Sequence, residues 1–223
     1  GRDSLEDVFG LPAAQVEVVE NGKEVLPEVD IPATDSALRE GIVCVARAMA
    51  SKRQDILHEA FLNLRKARGQ KLTFVGHGTL ARDFVAAQSP PDSGVKCVGE
   101  VRDPYEYLLR TQIATLPSEH EGLPNAILEA WNAGAPVLAS RAPGIQELVR
   151  HGEDGILVEN TVTAWKEGIE LLLSNDGLRK RLAQNGRRRL EGDYGMGVAC
   201  RKWLDFYRRA IQHRKNTQGP MSS

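Results

Sequence analysis

The stretch L116-PSEHEGLPNAILEAWNAGAPVLAS-R141 decides how this chain is read. The run Gln112–Leu116 enters it as a buried strand, and Pro136–Ala139 leaves it as another. Between them Pro124 suits the first turn of a helix, and Gly134 suits the position just past its end. Strand, turn, helix, strand is the unit that holds a ligand at the carboxyl end of a parallel sheet. It places one carboxylate, Glu121, in the turn and another, Glu129, eight residues later in the helix.

A helix starting near Pro124 leaves the amides of Asn125, Ala126 and Ile127 without intrahelical partners. Free N–H groups and the positive end of the helix dipole attract phosphate or sugar oxygens. Glu129 then lies roughly 6 Å further along the axis, a reach that suits the vicinal hydroxyls of a ribose. Two carboxylates crowding one anion would repel it. Glu121 and Glu129 are therefore read as gripping neutral hydroxyls on either side of it.

Outward from this unit the chain alternates. Strands are expected over 41–46, 72–75 and 95–98, with helices over 52–66, near 80–87 and near 104–110. Further helices follow near 144–150, 162–173 and 178–190, and an amphipathic one over 194–212 carries Trp203, Phe206, Tyr207 and Ile211. Alternating β and α predicts an α/β fold, a doubly wound parallel sheet with helices on both faces. Residues 1–38, with a short helix-like start and the Pro-bearing stretch V25-LPEVDIPATD-35, read as a separate linker region. Residues 39–195 form the ligand-binding domain in this reading, and 196–223 a terminal helix with a polar tail.

A cationic pair stands at the same sheet edge. In C44-VARAMASKRQDILHEAF-61, Arg47 ends a strand and Lys52 opens a helix. Ser51 and Gln54 have the spacing of a capping box, while Ile56, Leu57, Ala60, Phe61 and Leu64 line one helical face. A forked guanidinium beside an ammonium suits a diphosphate.

These residues together resemble a known family. E121-GLPNAILE-129, A130-WNAGAPVLAS-140 and G144-IQELV-149 are similar to the donor-binding motif of GT-B-type, group 1 retaining glycosyltransferases. The resemblance implies the Rossmann-like carboxy-terminal half of a GT-B architecture, without its amino-terminal acceptor-binding domain. Residues 1–38 resemble the end of that domain and the crossing segment. Glu121 would contact the donor sugar's hydroxyls and Glu129 the nucleotide ribose. Backbone amides of Gly122, Leu123, Asn125 and Ala126, with Pro124 among them, would meet the sugar and diphosphate. Val101, in G99-EVRD-103, would offer backbone contacts to the base. Arg47 and Lys52 would stabilise the departing diphosphate, in place of a metal. Catalytic roles thus fall to Arg47, Lys52 and Glu121. The family commonly has Gly where Ala46 and Arg53 stand here, which puts the shape of that loop in question.

The implied function is retaining transfer from a UDP- or GDP-sugar to an acceptor hydroxyl, with no other cofactor. Two alternatives stay open. One is a donor-binding module that needs a partner domain for activity. The other is an NAD-dependent oxidoreductase, because G76-HGTLA-81 follows a strand and fits the dinucleotide fingerprint, with Glu100 beyond it.

Composition narrows the field. With 41% hydrophobic and 26% charged residues and a net charge of −1, the 223-residue chain can bury a sizeable core. No apolar run approaches the roughly 18 residues of a membrane span, and no signal-peptide pattern is visible, so a cytoplasmic location is expected. Cys44, Cys97 and Cys200 lack CxxC spacing, and the first two are expected as buried thiols. The five histidines show no HExxH spacing for a metal. Twelve Lys/Arg against three acids between Arg179 and Lys215 read as solvated helix faces. Peripheral contact with the inner face of an anionic membrane stays open there. Nucleic acid is not expected, since aromatic interleaving is missing.

Overall fold

Six short, mostly aliphatic runs pair in parallel: β1 (Ile42–Val45), β2 (Leu72–Val75), β3 (Val95–Gly99), β4 (Ile113–Leu116), β5 (Val137–Ser140) and β6 (Ile156–Val158). The computed structural model describes residues 17–27, 39–64 and 69–217. The strand order is β3-β2-β1-β4-β5-β6, with Cys44 opposite Thr115 where β1 meets β4. Helices follow as α1 (Gln54–Leu62), α2 (Tyr105–Leu109), α3 (Asn125–Asn132), α4 (Ile145–Leu148), α5 (Val162–Ser174), α6 (Asp176–Arg189) and α7 (Met196–Thr217). The doubly wound parallel sheet is the expected fold.

Alternate residues of each strand serve opposite faces. Ile42, Cys44, Leu72, Phe74, Ile113 and Leu138 pack with Leu57 and Phe61 of α1 and with Trp165 and Ile169 of α5. On the other face Val43, Ala114 and Val137 surround a small gap with Leu108 of α2 and Ile127 and Ala130 of α3. Residues in both sets are almost wholly buried, as expected of parallel strands covered on both sides.

Two compact units divide the chain: residues 26–190, and residues 1–25 with 191–223. The first holds the sheet. In the second, Lys23 bridges Gly195, donating from its amide to the Tyr194 carbonyl at 2.8 Å and accepting from the Met196 amide at 2.9 Å. Lys202 pairs with Glu20 at 2.9 Å, and Arg209 with Glu17. Along α7, Met196, Leu204, Tyr207 and Ile211 share an exposed stripe.

Several expectations need correction. No α-helix forms over 80–87; the segment makes turns and a 3-10 stretch at Val85–Gln88. Phe84 turns inward there to meet Phe74 edge-on, ring centroids 5.3 Å apart. β6 was not expected at all, since three residues between Gly155 and Glu159 carry too little pattern. Cys44 is buried, but Cys97 is half-buried, because it lies on the outermost strand. The end of the helix expected over 52–66, the helix-like start, most of the Pro-bearing stretch and the last of the tail lie outside the described residues.

Most of the basic run is solvated as expected, with Arg181, Arg188, Arg201, Lys202, Arg208, Arg209 and Arg214 exposed, but three arginines are not. Arg187 donates to the Asn132 carbonyl at 2.8 Å and to its side-chain oxygen at 2.9 Å. Arg189 pairs with the buried Asp154 at 3.5 Å, its side chain only 10% exposed. Arg179 donates to the carbonyls of Leu172 and Leu173. These cations tie α6 to its neighbours. Arg39 works similarly, donating from a buried guanidinium to the carbonyls of Leu108, Thr111 and Ala133 at the ends of α2 and α3. Burial lowers its pKa.

Trp131 of α3 shows how tightly α6 is set. It is fully buried and donates from Nε1 to the Asp154 carbonyl at 3.0 Å. A Cβ added at Gly186 would lie 2.2 Å from its ring. Gly186→Ala is expected to lower unfolding free energy by about 1–3 kcal/mol through overpacking, measured by urea titration. An unchanged midpoint would mean that α6 can move off Trp131 at no cost.

Candidate functional site

β1 and β4 are neighbours, yet the chain leaves β1 for α1 on one face and β4 for α3 on the other. A crevice opens between their carboxyl ends, the switch point of such a sheet. Residues 46–53 and 117–124 form its two sides.

The first side is braced by close backbone approaches. Gly76 has φ +144°, and a Cβ there would lie 2.2 Å from the Ala46 carbonyl oxygen. Ala48 donates to the His77 carbonyl at 2.8 Å. Gln54 sends its side-chain amide to the Arg47 carbonyl at 3.0 Å. The expected capping box is therefore absent: Gln54 holds the loop, and the Ser51 carbonyl accepts from the Glu119 amide at 2.8 Å. Arg47 itself is exposed just past β1, and among the described residues no carboxylate pairs with it.

Lys52 lies in a 3-10 turn (Ala50–Lys52) ahead of α1, rather than in the helix's first turn. Arg53 then adopts φ +43° as the residue entering α1. That left-handed conformation costs a non-glycine residue about 1–2 kcal/mol. Ion pairs to Glu119 at 2.9 Å and Asp55 at 3.2 Å hold Arg53 in place.

On the other side, Glu121 is fixed from several directions. Its Oε1 accepts from Ser118 Oγ at 2.6 Å and from Lys52 Nζ at 2.5 Å. Its amide donates to the Pro143 carbonyl at 2.9 Å. The fully buried Ser118 has its own carbonyl held by Ser140 Oγ. Asn160 donates to the Pro117 carbonyl at 2.8 Å and accepts from the buried Trp165 Nε1 at 2.9 Å. A line of hydrogen bonds thus runs from the core to the loop carrying Glu121. Ser118, Ser140, Asn160 and Gln54 were not among the expected site residues. Only Ser118, three positions before Glu121, left a local signal.

Beyond Glu121, a Cβ at Gly122 would meet nothing within 4 Å, so space is open above it. Leu123 is half-buried and Pro124 buried. α3 starts at Asn125, and no side chain caps it. Among the described residues the amides of Asn125 and Ala126 have no protein partner, whereas Ile127 donates to the Pro124 carbonyl at 2.9 Å. Two amides face outward, one fewer than expected. Glu129 is half-buried one turn further along α3. Val101 stands apart, half-buried after β3, two strands from β1 at the same edge.

The glycine pair at 76–78 does not open a helix. Thr79 Oγ1 donates to the Gly76 carbonyl at 3.0 Å and accepts from the Gly99 amide at 2.9 Å, closing the turn on itself. A dinucleotide fingerprint needs a helix end facing the pyrophosphate, and none is present there. Cys44, beneath the crevice, is no nucleophile: burial pushes its thiol up to about 12. Among the described residues no group of three His, Cys, Asp or Glu could hold a metal ion, and no helix is long and apolar enough to cross a membrane.

Residues 39–175, more than half the chain, match the sequence model described as "Glycosyl transferases group 1". The chain belongs to this family. Among curated relatives, the lipopolysaccharide core biosynthesis glycosyltransferase LpsE of Rhizobium meliloti is 34% identical over 113 residues, covering 50% of this chain and 33% of that protein. A GDP-mannose-dependent alpha-(1-6)-phosphatidylinositol monomannoside mannosyltransferase of Mycobacterium tuberculosis is 27% identical over 230 residues, covering 93% and 59%. The crystal structure of Anabaena HepE in complex with UDP-glucose superposes with a TM-score of 0.79 at 20% identity, covering 93% of this chain and 61% of that one. The chain thus spans between 33% and 61% of these proteins.

Gly144 lies directly against the loop that carries Glu121. It has φ +83°, and a Cβ there would fall 1.9 Å from the Glu121 carbonyl oxygen. Gly144→Ala is expected to destabilise the unit by about 2–4 kcal/mol from strain and overlap, read by urea denaturation. Full stability in this variant would show that the Glu121 loop is not pressed against residue 144.

Proposed function

We propose that this chain is the donor-binding half of a retaining glycosyltransferase and takes a UDP- or GDP-sugar in the crevice between β1 and β4. The observation that carries the reading is the convergence of Lys52, Glu121 and the open start of α3 at one switch point. The diphosphate would lie on the Asn125 and Ala126 amides with Arg47 and Lys52 beside it. The sugar would sit over Gly122 and Leu123, against Pro124, with Glu121 on its hydroxyls. Glu129 would take the ribose, and the Val101 backbone the base. UDP-glucose in the Anabaena structure and the GDP-mannose dependence named for the mycobacterial relative support a nucleotide-sugar donor.

In transfer, the bond between the anomeric carbon and the diphosphate oxygen breaks, and its electron pair leaves with the diphosphate. Arg47 and Lys52 oppose that growing negative charge. The acceptor hydroxyl forms the new bond on the same face, and its proton passes to the departing diphosphate. In this reading residues 39–195 hold the donor. The acceptor sits on an amino-terminal domain, to which residues 1–38 lead, and the isolated chain binds donor without turning over.

Calorimetric titration with UDP-, GDP- and ADP-sugars and NAD tests the assignment. Saturable binding of one nucleotide sugar is expected. Glu129→Ala and Arg47→Ala should each weaken it about 10- to 100-fold, the worth of a charged hydrogen bond. Arg47→Lys should weaken it as well, since a point charge cannot reproduce the fork. Full affinity in both alanine variants would remove the site assignment, and binding of NAD alone would favour the oxidoreductase.

Contact with an anionic membrane at its inner face is proposed for residues 196–223. The apolar stripe of Met196, Leu204, Tyr207 and Ile211 is exposed on α7 together with Arg201 and Arg208. Sedimentation with phosphatidylglycerol vesicles, but not phosphatidylcholine ones, is the expected result. Sedimentation with neither kind would count against the contact.

A further inference from the structure

We infer that Lys52 and Glu121 form an interlock that weakens the grip on bare nucleoside diphosphate and so favours release of the product. The inference rests on the reading of the crevice as a nucleotide-sugar site.

Two groups assigned to different parts of one donor hold each other in this structure. Lys52 Nζ stands 2.5 Å from Glu121 Oε1, with the two side chains only 18% and 15% exposed. The opposite charges cancel. Part of the cation a diphosphate needs is already engaged.

The partners differ in freedom. Glu121 is bound through its amide to Pro143, its carbonyl lies against Gly144, and its carboxylate is anchored by the buried Ser118. Apart from that pair, Lys52 is held among the described residues through its amide's bond to the Met49 carbonyl at 2.9 Å, and it carries its ammonium on a flexible four-carbon stem. Lys52 is therefore the partner that moves.

A diphosphate arriving at the start of α3 draws the ammonium away and leaves Glu121 with Ser118 alone. A donor that carries a sugar repairs this loss, because its hydroxyls donate to the vacated carboxylate. A bare diphosphate cannot. Glu121 thus penalises the product and spares the substrate, a discrimination made by an unpaired charge.

The test compares UDP, GDP, UDP-glucose and GDP-mannose binding to the wild-type chain and to Glu121→Gln by calorimetry, with circular dichroism to verify folding. Glu121→Gln is expected to bind the bare diphosphate about two- to fivefold more tightly, the scale of a competing ion pair, and to lose the preference for the sugar-bearing form. A residue that only shaped the loop would not tighten anything. Unchanged or weaker diphosphate binding in the variant, with wild-type binding intact, overturns the interlock and leaves the donor reading standing. A wild-type chain that binds none of the four overturns both. Should Glu121→Gln fail to fold, Glu121→Asp, which withdraws the carboxylate by one methylene, must tighten diphosphate binding in the same direction.

Discussion

Two strands that are neighbours in the sheet but separated in the chain impose the geometry on which the site depends. β1 and β4 pair in parallel, with Ile42 opposite Ile113 and Cys44 opposite Thr115, and their crossovers run to opposite faces. The loops that leave their carboxyl ends must then diverge. Loops 46–53 and 117–124 line the gap, and each is fixed by something deeper. Gln54 holds the first from the start of α1, and Asn160 passes the rigidity of Trp165 to the second. The crevice is shaped mainly by hydrogen bonds to carbonyl groups. Side-chain identity is left to the few residues that face the opening.

Charge follows the same economy. A near-neutral chain carries twelve Lys/Arg against three acids between Arg179 and Lys215, and three of those arginines point inward. Arg179, Arg187 and Arg189 hold α6 in place, and Arg39 closes the ends of two helices. Buried or half-buried guanidinium groups can satisfy several carbonyls at once through their fork of donors. Within one Arg cluster the sequence alone therefore does not say which guanidinium packs inward and which faces solvent. In the crevice Arg47 is exposed and Lys52 is balanced by a single carboxylate.

The central unit was readable because several signals agreed. Pro124 and Gly134 bracket α3, the apolar runs on either side become β4 and β5, and Gly134 takes φ +61° just past the helix end. Where signals conflicted, tertiary contacts decided. The segment 80–87 has helix-forming residues, but the inward turn of Phe84 toward Phe74 and the prolines at 90 and 91 leave it in turns. Ser51 and Gln54 fit a cap by spacing, yet both have other partners supplied by neighbouring loops. Ser118, Ser140 and Asn160 could not be joined from sequence, because their bonds cross between loops 22 and 43 residues apart. The αL conformation of Arg53 was signalled only as a departure from the family's glycine.

The most direct test of this account is a crystal structure of the chain grown with its best-binding nucleotide sugar. The account predicts diphosphate oxygens within hydrogen-bond distance of the Asn125 and Ala126 amides, and Lys52 drawn off Glu121 onto them. Diphosphate density at the Gly76–Gly78 turn instead, with Lys52 still on Glu121, would contradict it.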